Sequence, residues 1–217
     1  MRGLYAITPE TLDTARLVEQ VCSAIAGGAT VVQYRYKQIG DNLAKRQAEA
    51  LRQVTLSSGA LFIVNDNVDL AFSVSADGVH LGRDDADLHS IALLRARCAT
   101  HAPARCFMIG VSCYNELPRA ESAVLAGADY VAFGSFFSSP TKPHAVKANL
   151  SLIAAAKARM TVPIVAIGGI TVDNAPQLIS ANVDAVAVIT CLFEADDIEQ
   201  RAREFTNLFN FGNHVHQ

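Results

Sequence analysis

The chain carries no excess of one charge. With 18 Lys and Arg against 21 Asp and Glu over 217 residues, the formal net charge is -3. Both signs are dispersed, so neither a basic face for nucleic acid nor a basic amphipathic helix for a membrane surface is expected. The cysteines, five in number at Cys22, Cys98, Cys106, Cys113 and Cys191, show no CxxC and no Cys/His spacing of a zinc site. That pattern fits reduced thiols in a cytoplasmic protein. No apolar run reaches the length of a membrane span. The strand-like Leu4-Tyr5-Ala6-Ile7-Thr8 begins so near Met1 that no cleavable leader is expected. A GxGxxG after the first strand is missing, Thr8-Pro9-Glu10 standing there instead, which argues against a dinucleotide-binding open sheet. No Ser/His/Asp or Cys/His constellation emerges, which argues against nucleophilic hydrolysis.

Apolar substance is plentiful at 51% of residues, enough for a large core in one domain. Strands are expected at Leu4 to Thr8, Val31 to Lys37, Leu61 to Asn65, Gly78 to Leu81, Met108 to Ser112, Tyr130 to Gly134, Ile164 to Gly168 and Ala185 to Thr190. Helical patterns separate them at Leu12 to Ala26, Asp41 to Ser57, Leu88 to Cys98, Asn115 to Ala126, Leu150 to Lys157 and Val172 to Ser180, with Asp196 to Phe211 at the end. The third gap holds only a short helix near Val68 to Phe72. Strict alternation implies a parallel sheet, and eight units without a linker imply closure. The fold class is therefore α/β, a (β/α)8 TIM barrel over residues 1–211 as a single domain, with a polar C-terminal tail at 212–217. A weak repeat supports it: Ala29-Thr30-Val31-Val32, Ala76-Asp77-Gly78-Val79, Ala128-Asp129-Tyr130-Val131 and Val183-Asp184-Ala185-Val186 enter strands alike. Asp77, Asp129 and Asp184 thus fall at the N-terminal end of the barrel, where residues serve stability.

In such a barrel, chemistry belongs at the C-terminal strand ends and the loops after them. In Val31-Val32-Gln33-Tyr34-Arg35-Tyr36-Lys37 the strand period puts Gln33, Arg35 and Lys37 on one face. Either that face is the solvated side of an edge strand, or it lines the barrel. Neighbouring cations there need an anion between them, most simply a phosphate, and Tyr34 and Tyr36 then pack outward beneath the helices. Asp66 and, on the adjacent strand end, Asp84 or Asp85 offer carboxylates for a Mg²⁺ shared with substrate phosphate; helix capping is the competing role. Gly168-Gly169 and Ile189-Thr190 follow the seventh and eighth strands, where phosphate sites commonly form. The loop from Ser135 to His144 has the hydroxyls, prolines and cation of a lid over phosphate, or else is a solvated surface loop. His80 reads as hydrogen-bonded structure, and His214 and His216 lie in the polar tail.

Taken in order, Tyr5-Ala6-Ile7-Thr8, Gln33-x-Arg35-x-Lys37, Val64-Asn65-Asp66 with Asp69-Leu70-Ala71, Ala76-Asp77-Gly78-Val79-His80-Leu81-Gly82, Ile109-Gly110-Val111-Ser112, Gly127-Ala128-Asp129-Tyr130 leading to Pro140-Thr141-Lys142, and Ala166-Ile167-Gly168-Gly169-Ile170 resemble the thiamine phosphate synthase family across most of the chain. The resemblance implies a transferase that joins a hydroxymethylpyrimidine diphosphate to a thiazole monophosphate, plain or carboxylated, with Mg²⁺ as cofactor and release of pyrophosphate. Carried onto this sequence, it has Gln33 hydrogen-bond the pyrimidine, while Arg35, Lys37, Asn65 and Lys142 hold the diphosphate with help from Ser112. Asp66 and Asp85 would bind Mg²⁺. Ser139, Thr141, Gly169, Ile189 and Thr190 would bind the thiazole phosphate, with Tyr34, Tyr36, Pro140 and Gly168 as further lining. Catalysis would fall to Arg35, Lys37, Lys142 and Ser112.

The sequence departs from the family at Arg83, where Gln is usual, at Ser112-Cys113-Tyr114, where Ser-Thr-His-like residues are usual, and at Ser138-Ser139, where a proline and threonine are usual. The implied partners are small molecules, with no nucleic acid, membrane or essential protein; a homo-oligomer is left open. A thiazole tautomerase on the same scaffold and a non-catalytic phospholigand sensor are the alternatives.

Overall fold

Short runs of aliphatic and β-branched residues become the inner sheet, and the amphipathic segments between them become its cover. The computed structural model describes residues 1–82, 88–101, 107–138 and 147–211. Among these, the strands are β1 (Gly3–Ile7), β2 (Val31–Tyr34), β3 (Leu61–Asn65), β4 (Gly78–Leu81), β5 (Met108–Tyr114), β6 (Tyr130–Phe133), β7 (Ile164–Ile167) and β8 (Ala185–Val188). The helices are α1 (Thr14–Ala26), α2 (Asp41–Ser58), α3 (Val68–Ser73), α4 (Leu88–His101), α5 (Leu117–Leu125), α6 (Leu150–Lys157), α7 (Ala175–Ser180), α8 (Thr190–Phe193) and α9 (Ile198–Phe211). Asp13, Asn67 and Asn149 cap α1, α3 and α6 by accepting from backbone N–H groups of the first turn. All strands pair in parallel with their sequence neighbours, and β1 pairs with β8 to close the barrel. No described helix is long and apolar enough to cross a membrane.

Because successive strand residues point to opposite faces, apolar side chains divide into two cores. Leu4, Ala6, Val32, Phe62, Val64, Val79 and Ile109 face the helices, with Leu17, Val21, Leu51 and Phe205 packed over the sheet. Tyr5, Ile7, Val31, Ile63, Tyr130, Val165 and Ala187 fill the barrel. Gly110 makes room for one of these, since a Cβ there would lie 2.0 Å from the Tyr130 ring.

The repeated strand entries act as staples. Asp77 Oδ2, just before β4, accepts from Phe62 N in β3 and from Arg52 in α2, both at 2.8 Å. Asp184 before β8 does the same with Ile164 N and Lys157, and Asp129 before β6 with Ile109 N and Arg95. Each carboxylate ties the start of its own strand to the strand before it and to the helix that precedes that neighbour, the stability role expected of these positions.

β1, β6 and β7 end one residue before the expected Thr8, Gly134 and Gly168, and two further strands end earlier still. β2 stops at Tyr34 rather than Lys37, and β8 stops at Val188, with Thr190 opening the short helix α8 instead of ending the strand. β5 runs on to Tyr114 through a register shift between Ser112 and Tyr114, Tyr114 taking a positive φ of 54°. The tail at 212–217 lies outside the described residues.

Asp77→Ala would leave the buried Arg52 side chain, 9% exposed, without its anion and Phe62 N–H without an acceptor. A loss of about 3 kcal/mol in urea unfolding with an unchanged m-value is expected; a loss below about 0.5 kcal/mol, the usual range of a surface change, would dismiss the staple.

Candidate active site

The end of β2 is where sequence and structure part. Gln33 points into the barrel, 3% exposed, and its Nε2 donates to Tyr5 Oη at 2.8 Å. After Tyr34 the ladder ends, and the next residues are held by β1 and its loop. Arg35 N donates to Thr8 Oγ1 at 3.0 Å, and Glu10 Oε1 accepts from the backbone N–H groups of Lys37, Gln38 and Ile39 at 2.9, 2.5 and 3.2 Å. Arg35 and Lys37 therefore do not share a strand face with Gln33; a loop folded around one carboxylate positions them. Burial opposes the charge on Glu10, yet these N–H groups and the nearby Arg35 cation hold its carboxyl below the usual range.

Tyr34 faces the helices as expected, 1% exposed, with its hydroxyl donating to Gln47 of α2 at 2.8 Å. That orientation removes its side chain from the lining of the mouth. Tyr36 stacks on Tyr34, ring centroids 5.3 Å apart, and its hydroxyl accepts from Asn67 Nδ2, so it too leans on the outer layer.

Lys37 turns to the end of β3. Its Nζ lies 2.7 Å from Asp66 Oδ2, which also accepts from Asn65 Nδ2 at 2.6 Å. Asp66 Oδ1 accepts from Gly82 N, just past β4, at 3.0 Å. Asp66 sits in the left-handed region at φ 58°, a conformation Asp tolerates better than most residues. Desolvation alone would raise its pKa, but the Lys37 ammonium and Gly82 N–H outweigh it and hold the carboxyl below its ordinary value. Helix α3 is capped by Asn67, so the competing capping role is filled by the next residue.

A polar string crosses the barrel below this cluster. Tyr5 Oη lies 2.9 Å from Tyr130 Oη, Tyr130 Oη 3.1 Å from His80 Nδ1, and His80 Nε2 2.9 Å from Ser112 Oγ. His80 is thus hydrogen-bonded structure, and burial pushes its pKa down to about 4, the Asp66 charge only partly opposing this. Burial likewise pushes the Tyr5 and Tyr130 phenols well above their ordinary value.

On the other side of the mouth, the loops after β6 and β7 lie against each other. Phe136 N donates to Ile167 O at 3.1 Å and Phe137 N to Gly168 O at 3.0 Å. Gly168 and Gly169 have φ values of 103° and 61°, and a Cβ on Gly168 would lie 2.0 Å from Ser135 Oγ. Both glycines are required by backbone geometry before any ligand is considered. Ile189 and Thr190 follow β8 at the start of α8.

The structure therefore joins Lys37, Asn65 and Asp66 in one cluster, and links Gln33 to Ser112 through the barrel. Asp84, Asp85, Arg83, Ser139, Pro140, Thr141 and Lys142 lie outside the described residues. Glu10 was missed because its signal is conformational: an exposed acid becomes informative only once three amides turn toward it. The Tyr5 and Tyr130 hydroxyls were missed because tyrosine in an apolar strand reads as core.

A family model described as thiamine monophosphate synthase matches residues 4–192. The thiamine-phosphate synthase of Methylobacillus flagellatus is 50% identical over 210 residues, covering 97% of this chain and 96% of that protein. That of Nitrosospira multiformis is 48% identical over 207 residues, covering 95% and 85%. Among solved structures, the thiamine phosphate pyrophosphorylase from Pyrococcus furiosus superposes with a TM-score of 0.83 at 35% identity, covering 97% of this chain and 96% of that one. Nearly full-length similarity and a shared eight-stranded barrel agree, and the chain belongs to the thiamine monophosphate synthase family.

Proposed function

We propose that this chain is a transferase condensing 4-amino-5-hydroxymethyl-2-methylpyrimidine diphosphate with 4-methyl-5-(2-phosphoethyl)thiazole, or its carboxylated form, to thiamine phosphate and pyrophosphate. The observation that carries this reading is the Lys37, Asn65 and Asp66 cluster at the C-terminal mouth, set beside an inward Gln33 in a chain of this family. A cation and an amide donor next to a carboxylate suit a diphosphate that shares a divalent metal.

The donor chemistry fits Mg²⁺. Asp66 presents hard carboxylate oxygens at a strand end, held ionised by Lys37 and Gly82, and Asp85 follows Gly82 by three positions in the sequence. A cation held by few protein carboxylates would complete its shell with substrate oxygens and water. Asp66 and Asp85 would hold the ion, which when bound would neutralise charge on the diphosphate.

The residues of the chain would do the rest. Gln33 would orient the pyrimidine from the barrel floor. Arg35, Lys37, Asn65 and Lys142, with Ser112, would bind the diphosphate and stabilise the charge growing on departing pyrophosphate. The aminopyrimidine would carry the resulting methylene cation, and Ser139, Thr141, Gly169, Ile189 and Thr190 would hold the thiazole phosphate so that the ring nitrogen captures it. The step is a dissociative substitution and needs no side-chain base. A tautomerase would need an accessible proton shuttle, whereas His80 has both ring nitrogens engaged and is buried.

Incubating the protein with both substrates and Mg²⁺ should yield thiamine phosphate and pyrophosphate in equal amounts; a protein that binds phosphates without making either product would be a sensor. Asp66→Asn and Lys142→Ala should each lower kcat/KM by roughly 10²-fold or more at saturating Mg²⁺, and wild-type turnover in either would remove that residue from the assignment. With His80 held neutral down to about 4, it should add no step to the pH–rate profile where free histidine titrates, so His80→Asn should leave the shape of that profile unchanged. A step there that disappeared in His80→Asn would mean that His80 moves a proton during turnover.

A further inference from the structure

Five side chains from five strands form one unbroken hydrogen-bonded string through the barrel: Gln33, Tyr5, Tyr130, His80 and Ser112. Its middle members are buried. Tyr5 is 1% exposed, Tyr130 0% and His80 7%, and no buried side-chain N or O among the described residues lacks a partner. The two ends, Gln33 and Ser112, are residues the proposed reading gives to different parts of one substrate, the pyrimidine and its diphosphate.

Each phenol has a single proton to donate, and a neutral imidazole has one donor and one acceptor nitrogen. The string therefore has a direction. Gln33 Nε2 donates to Tyr5 Oη, which commits the Tyr5 proton to Tyr130 and the Tyr130 proton to His80 Nδ1. His80 then carries its hydrogen on Nε2 and donates it to Ser112 Oγ. Ser112 accepts from below, and its own hydrogen is directed elsewhere, as a donor suited to an anionic oxygen. Reversing the Gln33 amide would reverse every bond and leave Ser112 spending its hydrogen on His80.

We propose that Tyr5, Tyr130 and His80 are positioning residues that hold Ser112 as a hydrogen-bond donor toward the diphosphate and tie its polarity to the orientation of the Gln33 amide. A substrate that engages Gln33 in one amide orientation thereby prepares the diphosphate contact on the far side of the barrel. A competing ring that requires the flipped amide meets a Ser112 that presents lone pairs to its phosphate oxygens. The proposal rests on the functional reading only for the identity of the ligand; the polarity itself is a property of the ligand-free protein.

The test therefore has one arm without ligand. Nitrogen-15 NMR of selectively labelled histidine should find His80 neutral with its hydrogen on Nε2, and Tyr5→Phe and Tyr130→Phe should each convert this to a mixture of tautomers. A hydrogen on Nδ1 in the parent protein, or an unchanged tautomer in both variants, would overturn the proposal. The second arm measures binding of inorganic pyrophosphate with Mg²⁺ by calorimetry. Tyr130→Phe and Ser112→Ala should each weaken binding by about tenfold, and the double variant should be no weaker than Ser112→Ala alone, because the tyrosine acts through the serine. Additive losses would mean that Tyr130 serves only packing and would overturn the coupling. Should Tyr130→Phe fail to fold, the same cycle with Tyr5→Phe decides it. Parent protein that binds no pyrophosphate but shows the expected tautomers would count against the diphosphate reading and leave the string's polarity standing.

Discussion

Closure of β1 onto β8 is the constraint from which the other features follow. A closed sheet has no edge, so alternate residues of every strand must enter an interior only wide enough for side chains to fill. Apolar residues such as Val31, Ile63 and Val165 enter at little cost. A polar one must find a partner there or emerge at an end, because an unpaired buried polar group costs about 1–3 kcal/mol. Gln33, Tyr5, Tyr130 and His80 meet the first condition by bonding to one another, with Ser112 carrying the string upward. Gly110 meets a related one by leaving the space that the Tyr130 ring occupies.

The two ends of the barrel use carboxylates differently. At the N-terminal end Asp77, Asp129 and Asp184 each have a strand N–H and a helix cation. Their charge is consumed by structure. At the mouth Asp66 accepts from a lysine, an asparagine and one loop N–H, and the lysine side chain is half-exposed at 50%. An ion pair that open to solvent contributes little to stability. It leaves an ammonium and a carboxylate side by side at the mouth, the ammonium open to solvent. Glu10, also at the mouth, directs its charge to backbone amides and in doing so fixes the loop that carries Arg35 and Lys37.

Much of the fold was legible because helix and strand periods differ. β3, β4 and α6 have the expected limits, and the repeated Asp entries mark the N-terminal strand ends. The expectation of chemistry at the other end rested on strand count and on where such barrels carry their loops. The period-two reading of Gln33, Arg35 and Lys37 was incomplete because it assumed that the ladder persists. β2 ends where the chain leaves its pairing with β3 after Tyr34, and Glu10 and Thr8 then compete for the following N–H groups. The same limit applies to Thr190, expected at a strand end and found opening α8.

The order and type of the elements, the closure they imply and the residue types at each strand end were determined by the sequence, since each depends on local periodicity or simple counting. Family membership was also carried by the ordered motifs. Only the tertiary structure decided which groups meet: that Lys37 reaches Asp66 from a loop, that Tyr34 turns to Gln47, and that five side chains separated by up to 125 positions between hydrogen-bonded neighbours form one string. Such contacts depend on where loops end and how far long side chains extend across a closed interior. Neither is a periodic property of the chain.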